Sequence, residues 1–284
     1  MKPRRLAAIL EMPYSRRLDI IAEGLELLAI NVRRLAADAK YLEDLDRPRG
    51  AKVIGTFAIE EAAKVLILLD LVRLDDNDHA GQSKQVKRFY QHLARCLYAT
   101  AYSGSPASLG EVRVRVDQAR RSHYLDGPND VDWIFRNEVL AEREDALYVD
   151  LVDGEDGLMW SSPSTDGEIA FLSPRLPTLV ASLRATGITS RQGLSAVRDV
   201  WSGASLLDDP RWGDLAALNH RVLNRAWELE LPSADVTQDD VNAVYNYWIF
   251  PLTSLDMSEV KVDIVELQTT RQAVLDGIAL DYFW

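Results

Sequence analysis

The stretch Leu18–Leu42, LDIIAEGLELLAINVRRLAADAKYL, decides the fold class. Its apolar residues Leu18, Ile21, Leu25, Leu28, Val32, Leu35, Ala39 and Leu42 recur at steps of three and four, the spacing that lines side chains up along one side of an α-helix. The pattern predicts a single helix to about Asp46, and an apolar stripe of that length needs another element to cover it. Arg47-Pro48-Arg49-Gly50 supplies the stop and turn. Val53–Leu74 follows, apolar around most of its circumference, its only charges being Glu60, Glu61, Lys64, Asp70 and Arg73. This second segment reads as a central helix packed antiparallel on the first.

A polar loop at Asp75–Ser83, with Ser83 as N-cap, leads into a third predicted helix from about Lys84 to Ala101. On a helical wheel Val86, Phe89, Tyr90, Leu93, Cys96 and Leu97 share one side, while Lys84, Arg88, His92 and Arg95 gather on the other. Gly81–Gly110 contains no Asp or Glu in a chain that has 44 of them, so this basic face has no acidic partner on its own helix. It reads either as a solvated surface or as a local site for a polyanion.

Outward from this core the pattern is mixed. Val112–Tyr124 fits a helix or a strand, Asp132–Asp145 a helix, and Ala146–Trp160 two short strands around the turn Asp153–Gly157. Helical patterns return at Leu176–Ala185, Arg191–Trp201, Leu215–Glu228 and Thr237–Ile249, followed by a strand candidate at Val260–Leu267 and a last helix. The expected architecture is mainly α: an antiparallel helical bundle over residues 1–145, then a mostly helical region over 146–284 that begins with a small β-hairpin.

Composition narrows the function classes. With 284 residues, 47% of them hydrophobic and 27% charged, the chain can bury a sizeable core, which excludes a disordered protein. The net charge of −12 argues against a general nucleic-acid or anionic-membrane binder, so any polyanion site must be local. From Trp201 to Trp284, 14 acidic residues stand against five basic ones, a reserve of negative charge that could restrain the basic helix. No apolar run approaches the roughly 20 residues of a membrane span, and the short Leu6–Leu10 patch after MKPRR does not read as an export signal; a cytoplasmic location is expected. A lone Cys96 and four scattered histidines offer no metal-ligand spacing, and neither a phosphate-binding G-x-x-x-x-G-K-[ST] loop nor a G-x-S-x-G nucleophile elbow is present. No metal and no cofactor are expected.

Three segments, Asn31-Val-Arg-Arg-Leu-Ala-Ala-Asp-Ala, Ala58-Ile-Glu-Glu-Ala-Ala-Lys and Phe89-Tyr-Gln-His-Leu-Ala-Arg, together resemble the AbiV-type abortive-infection proteins of the HEPN superfamily in order and approximate spacing. The likeness covers Ser15–Thr100 and extends to the segments beginning at Tyr124 and Arg143. It implies a bundle of four or five helices that dimerises. Many catalytic HEPN members are metal-independent ribonucleases whose Arg and His, from both protomers, line a shared cleft, and growth arrest in response to phage is their usual setting. The family's Arg and His are separated by four to six intervening residues, whereas only three lie between Arg88 and His92; Lys87 has the four-residue gap but is not Arg. Arg73 and His79 meet the spacing formally but straddle a helix end, so His92 is preferred.

Metal-free RNA cleavage needs a proton acceptor for the 2′-hydroxyl, a donor for the 5′-oxygen and cations for the phosphorane, which His and Arg supply. On this reading His92 is the acid–base group, Arg88 the phosphate clamp, and Lys84, Lys87 and Arg95 extend the track along the RNA. Glu60 and Lys64 are spaced as an i,i+4 pair, and Glu60 or Glu61 could orient His92 or Arg88, or simply stabilise the bundle. The partners implied are a second copy, RNA, and a phage-derived or host protein trigger. The rival reading is a non-catalytic helical module that senses or sequesters a phage or host protein.

Overall fold

A computed structural model describes residues 5–124, 135–145, 147–154, 157–163, 175–202, 204, 209–263, 265–269 and 272–273. Its elements are a 3-10 helix at Leu6–Glu11, then α1 (Tyr14–Asp44), α2 (Pro48–Arg73), α3 (His79–Arg88), α4 (His92–Tyr102), α5 (Leu109–Ala119), β1 (Ser122–Tyr124), β2 (Phe135–Asn137), α6 (Glu138–Asp145), β3 (Asp150–Gly154), β4 (Gly157–Ser161), α7 (Arg175–Ala185), α8 (Arg191–Trp201), α9 (Trp212–Glu228) and α10 (Gln238–Tyr247). The fold is mainly α, as the apolar periodicity predicts.

α1 and α2 form the long helical hairpin at its centre. α1 buries Leu18, Ile21, Leu25 and Val32 of the predicted stripe together with Ala29, while Leu28 is half-buried. Pro48 opens α2 rather than only ending α1, because a proline at the first helical position gives up an N–H that has no acceptor there. From Ala58 to Val72 α2 is almost entirely buried, with α4, α7 and α8 also packed against it. One apolar cluster runs from Ile9 to Met257, so helices on either side of residue 145 share a core.

The single third helix is overturned. Asp78, not Ser83, caps α3, its carboxylate accepting from the Gly81 N–H at 2.9 Å, so the helix starts four residues before Ser83. It stops at Arg88. The Phe89 N–H turns back to Gln85 and the Tyr90 N–H to Lys87, Gln91 is extended (φ −90°, ψ 123°), and α4 restarts at His92. The Phe89 carbonyl accepts instead from Arg95 Nε at 2.9 Å.

Val112–Tyr124 turns out to be both of its readings in succession: α5, capped by Ser108, and then β1, paired antiparallel with β2. Part of the predicted helix Asp132–Asp145 is β2, the helix itself starting at Glu138; residues 132–134 lie outside the described residues. The predicted hairpin is found as β3 and β4, with Leu151 opposite Trp160. Val260–Leu267 is not a strand: Val260 makes one isolated bridge to Arg121, and residues 265–269 are helical. Most of the last predicted helix lies outside the described residues.

After α10 the chain threads back onto the bundle and buries Trp248, Ile249, Phe250, Leu252, Leu255 and Met257. Non-helical backbone inside a core needs partners for its polar groups. Buried polar side chains of the first half supply them. Asp70 accepts from the Leu252 N–H at 2.9 Å, from the Tyr98 hydroxyl at 2.9 Å and from Arg73 Nη1 at 3.1 Å. Arg73 lies between the rings of Trp201 and Trp248, its Cζ 4.2 and 3.9 Å from their centroids, and donates to the Trp248 carbonyl at 3.2 Å. Tyr102 donates to the Phe250 carbonyl at 3.0 Å. Burial pushes the Asp70 carboxyl up, and Arg73 with the Leu252 and Tyr98 hydrogen bonds only partly offsets it.

Gly187, after α7, has φ +75°, and a Cβ there would stand 2.5 Å from the Leu231 carbonyl oxygen. Both the conformation and the space exclude a side chain. Gly187→Ala is therefore expected to lower stability by roughly 2 kcal/mol in urea unfolding.

Candidate functional site

The site is built around Glu60, a carboxylate on the inward side of α2 that is only 3% exposed. Oε1 accepts from Arg143 Nε of α6 at 2.6 Å. Oε2 lies 2.7 Å from His92 Nδ1 and 3.0 Å from Arg95 Nη1, both on α4. Three segments distant in the sequence thus meet on one carboxylate. Burial pushes the Glu60 carboxyl up, but hydrogen bonds from Arg143 and His92, reinforced by their charge, outweigh burial and hold it below the usual carboxylate range. For Arg143, burial works against the charge and Glu60 more than restores it.

Because Glu60 is ionised and can only accept, Nδ1 of His92 carries a proton, and in the neutral form of the ring Nε2 keeps its lone pair. The His92 side chain is 52% exposed, at the break between α3 and α4, where the helix starts anew. A histidine oriented by a buried carboxylate, with its second nitrogen available, can take a proton from a bound group and return it to another.

A family model described as AbiV, of the HEPN group, matches residues 20–170. The chain belongs to the AbiV family of HEPN proteins. No curated protein and no solved structure matches it. The AbiV match contains Glu60, His92, Arg95 and Arg143, and stops short of α7 to α10.

Within this AbiV fold the predicted basic residues separate. Arg88 is 2% exposed and points away from solvent: Nη1 donates to the Leu252 carbonyl at 3.0 Å, and Nη2 to that of Leu255. The expectation of a solvent-facing clamp at Arg88 is corrected, since residues 252–255 occupy the place a phosphate would need. Lys84 is half-buried and donates to the Leu255 carbonyl at 3.0 Å, whereas Lys87 is exposed. Arg95 is buried on Glu60 and Phe89 rather than lying along a surface track. Lys64 pairs with Glu61, not with Glu60, and Asn31 of α1 also donates to Glu61, at 3.3 Å. Arg73 is in the core and His79 is exposed at the start of α3, so that alternative pair is not assembled.

The residue that sequence reasoning missed is Arg143. It is 83 positions from Glu60, and no periodicity links them. The one signal was the likeness of the segment beginning at Arg143 to the family, without a role attached. Among the described residues no helix is long and apolar enough to cross a membrane.

Proposed function

We propose that this AbiV-family protein is a metal-independent endoribonuclease of antiphage abortive infection, acting in the cytoplasm as a homodimer, with His92 as its acid–base group. The observation that supports this reading is the half-exposed His92 imidazole seated 2.7 Å from a buried, ionised Glu60. Nε2 takes the proton of a ribose 2′-hydroxyl while its oxygen attacks the adjacent phosphorus and the bond to the 5′-oxygen breaks. The products are a 2′,3′-cyclic phosphate and a 5′-hydroxyl. Each protomer brings one His92, so two protomers supply both the base and the acid.

The test is incubation of the purified protein with cellular RNA in EDTA, reading fragments and their 2′,3′-cyclic phosphate ends. His92→Ala is expected to lose at least about a hundredfold in cleavage while its circular dichroism is unchanged. Equal cleavage by the variant refutes the assignment of His92.

A second reading, a module that binds a phage or host protein, is favoured by the β3–β4 hairpin. Tyr148 and Val149 just before it and Leu151, Leu158, Met159 and Trp160 within it are all more than half exposed, Leu158 and Trp160 by 71% and 70%. Replacing Leu158 and Trp160 by serine is expected to leave RNA cleavage intact if the nuclease reading holds, and to abolish growth arrest without any cleavage if the binding reading holds.

A further inference from the structure

One carboxylate faces two guanidinium groups at the site. Glu60 carries one negative charge, Arg95 and Arg143 one positive charge each, and the nearby Glu61 is committed to Lys64 and Asn31. Among the described residues this leaves a surplus positive charge, set in a half-buried place beside the His92 imidazole. An uncompensated cation so placed is stabilised by an anion.

The two arginines differ in what remains for that anion. Arg95 uses Nη1 on Glu60 and Nε on the Phe89 carbonyl; the side chains of Arg95 and Arg143 are similarly enclosed, 8% and 12% exposed. Arg143 meets Glu60 through Nε, so the edge formed by Nη1 and Nη2 is not engaged by the carboxylate. That edge is the fork that matches two oxygens of a phosphate. Arg143 binds Oε1 and His92 binds Oε2, so a guanidinium and an imidazole are held at the two ends of one carboxylate.

We infer that Arg143 is the phosphate-binding residue of this site, gripping the RNA phosphate on which His92 acts; the inference rests on the nuclease reading. Arg88, which the spacing to His92 first suggests, is spent on backbone carbonyls.

The test uses the full chain and two RNAs: a mixed-sequence oligonucleotide with 2′-O-methyl groups throughout, which binds but cannot be cleaved, and its 2′-hydroxyl counterpart. Affinity for the first is measured across a salt series. Arg143→Gln is expected to lower the slope of log K against log salt by about 0.7, the loss of one phosphate contact to a single strand. Cleavage of the second is expected to fall roughly a hundredfold. Arg143→Lys is expected to restore the slope, since the charge returns, while cleavage stays at least about tenfold down because the fork does not. A purely structural role would move urea stability and leave the slope alone.

If Arg143→Gln folds and both slope and cleavage match wild type, the inference is overturned and the nuclease reading survives. If wild type binds the methylated RNA with a slope that depends on Arg143 but never cleaves its counterpart, the phosphate contact stands and the nuclease reading falls. If Arg143→Gln does not fold, Arg143→Lys decides: full cleavage overturns the inference, and cleavage lost at an unchanged slope supports it. If wild type binds neither RNA, both fall.

Discussion

Replacing Glu60 by alanine is expected to destabilise the fold by about 3–5 kcal/mol, the range for removing one partner of a buried ion pair. Two guanidinium groups would face one another without their shared carboxylate, and His92 would lose the acceptor of its Nδ1 proton. Both arginines are too enclosed to recover full hydration, with side-chain exposures of 8% for Arg95 and 12% for Arg143. Urea unfolding at neutral pH measures the loss. Glu60→Gln keeps the shape and one acceptor, so its cost is smaller, but its amide N–H₂ must point at a donor. The same variant checks the sign of the pH dependence. Glu60 titrates lower in the folded protein than in the unfolded chain, so its contribution is present above the unfolded carboxylate range and is lost as pH falls through the folded value. The stability gap between wild type and Glu60→Gln is therefore widest near neutrality and narrows in acid. A gap that does not change with pH would show that Glu60 is not held ionised by its neighbours.

The helical body was legible because α1 and α2 each carry their information locally. A stripe from Leu18 to Leu42 and an apolar cylinder from Val53 to Leu74 are each the largest partner of the other, with the remaining faces of the cylinder left for further helices. The basic face failed for a physical reason. A helical wheel assumes an unbroken helix, and the break at Phe89–Gln91 goes with contacts the wheel does not show: the Asp78 cap that starts α3 early, the Arg95 side chain that takes the Phe89 carbonyl, and the Tyr90 hydroxyl that accepts the Leu6 N–H at 3.1 Å. Cations without acidic neighbours were read as available. In the fold, Lys84 and Arg88 meet carbonyl oxygens about 170 residues away in sequence, and a carbonyl leaves no mark in a charge count.

The candidate site divides along the same line. His92 and Glu60 were each singled out, and their pairing realises one of the options the sequence left open. Lys64 went to Glu61 because three residues along a helix bring side chains together as well as four do. Arg143 lies across a stretch in which helix, strand and loop patterns alternate without a clear period, so nothing local placed it beside Glu60.

Arg88→Ala is expected to cost roughly 4 kcal/mol of stability, and its effect on RNA cleavage is expected to follow only from unfolding. The carbonyls of Leu252 and Leu255 would each lose a charge-assisted hydrogen bond, at about 1.5–3 kcal/mol, and keep only the Leu255 N–H and the Lys84 ammonium respectively, beside the space vacated by a large side chain. Arg88→Lys keeps the charge, yet a single ammonium cannot span carbonyls that the guanidinium reaches with both terminal nitrogens, so about half the loss should remain. The measurement is paired: urea unfolding for each variant, and cleavage per folded molecule at a temperature where both variants are folded. A phosphate clamp would give the opposite pattern, unaltered stability with cleavage lost. Arg88 and His92 are four positions apart across the break, and substitution of either is expected to read as loss of function in a cell. What separates them is the side on which each side chain lies: His92 opens to solvent over Glu60, and Arg88 turns inward to tie the chain after α10 to the bundle that carries the site.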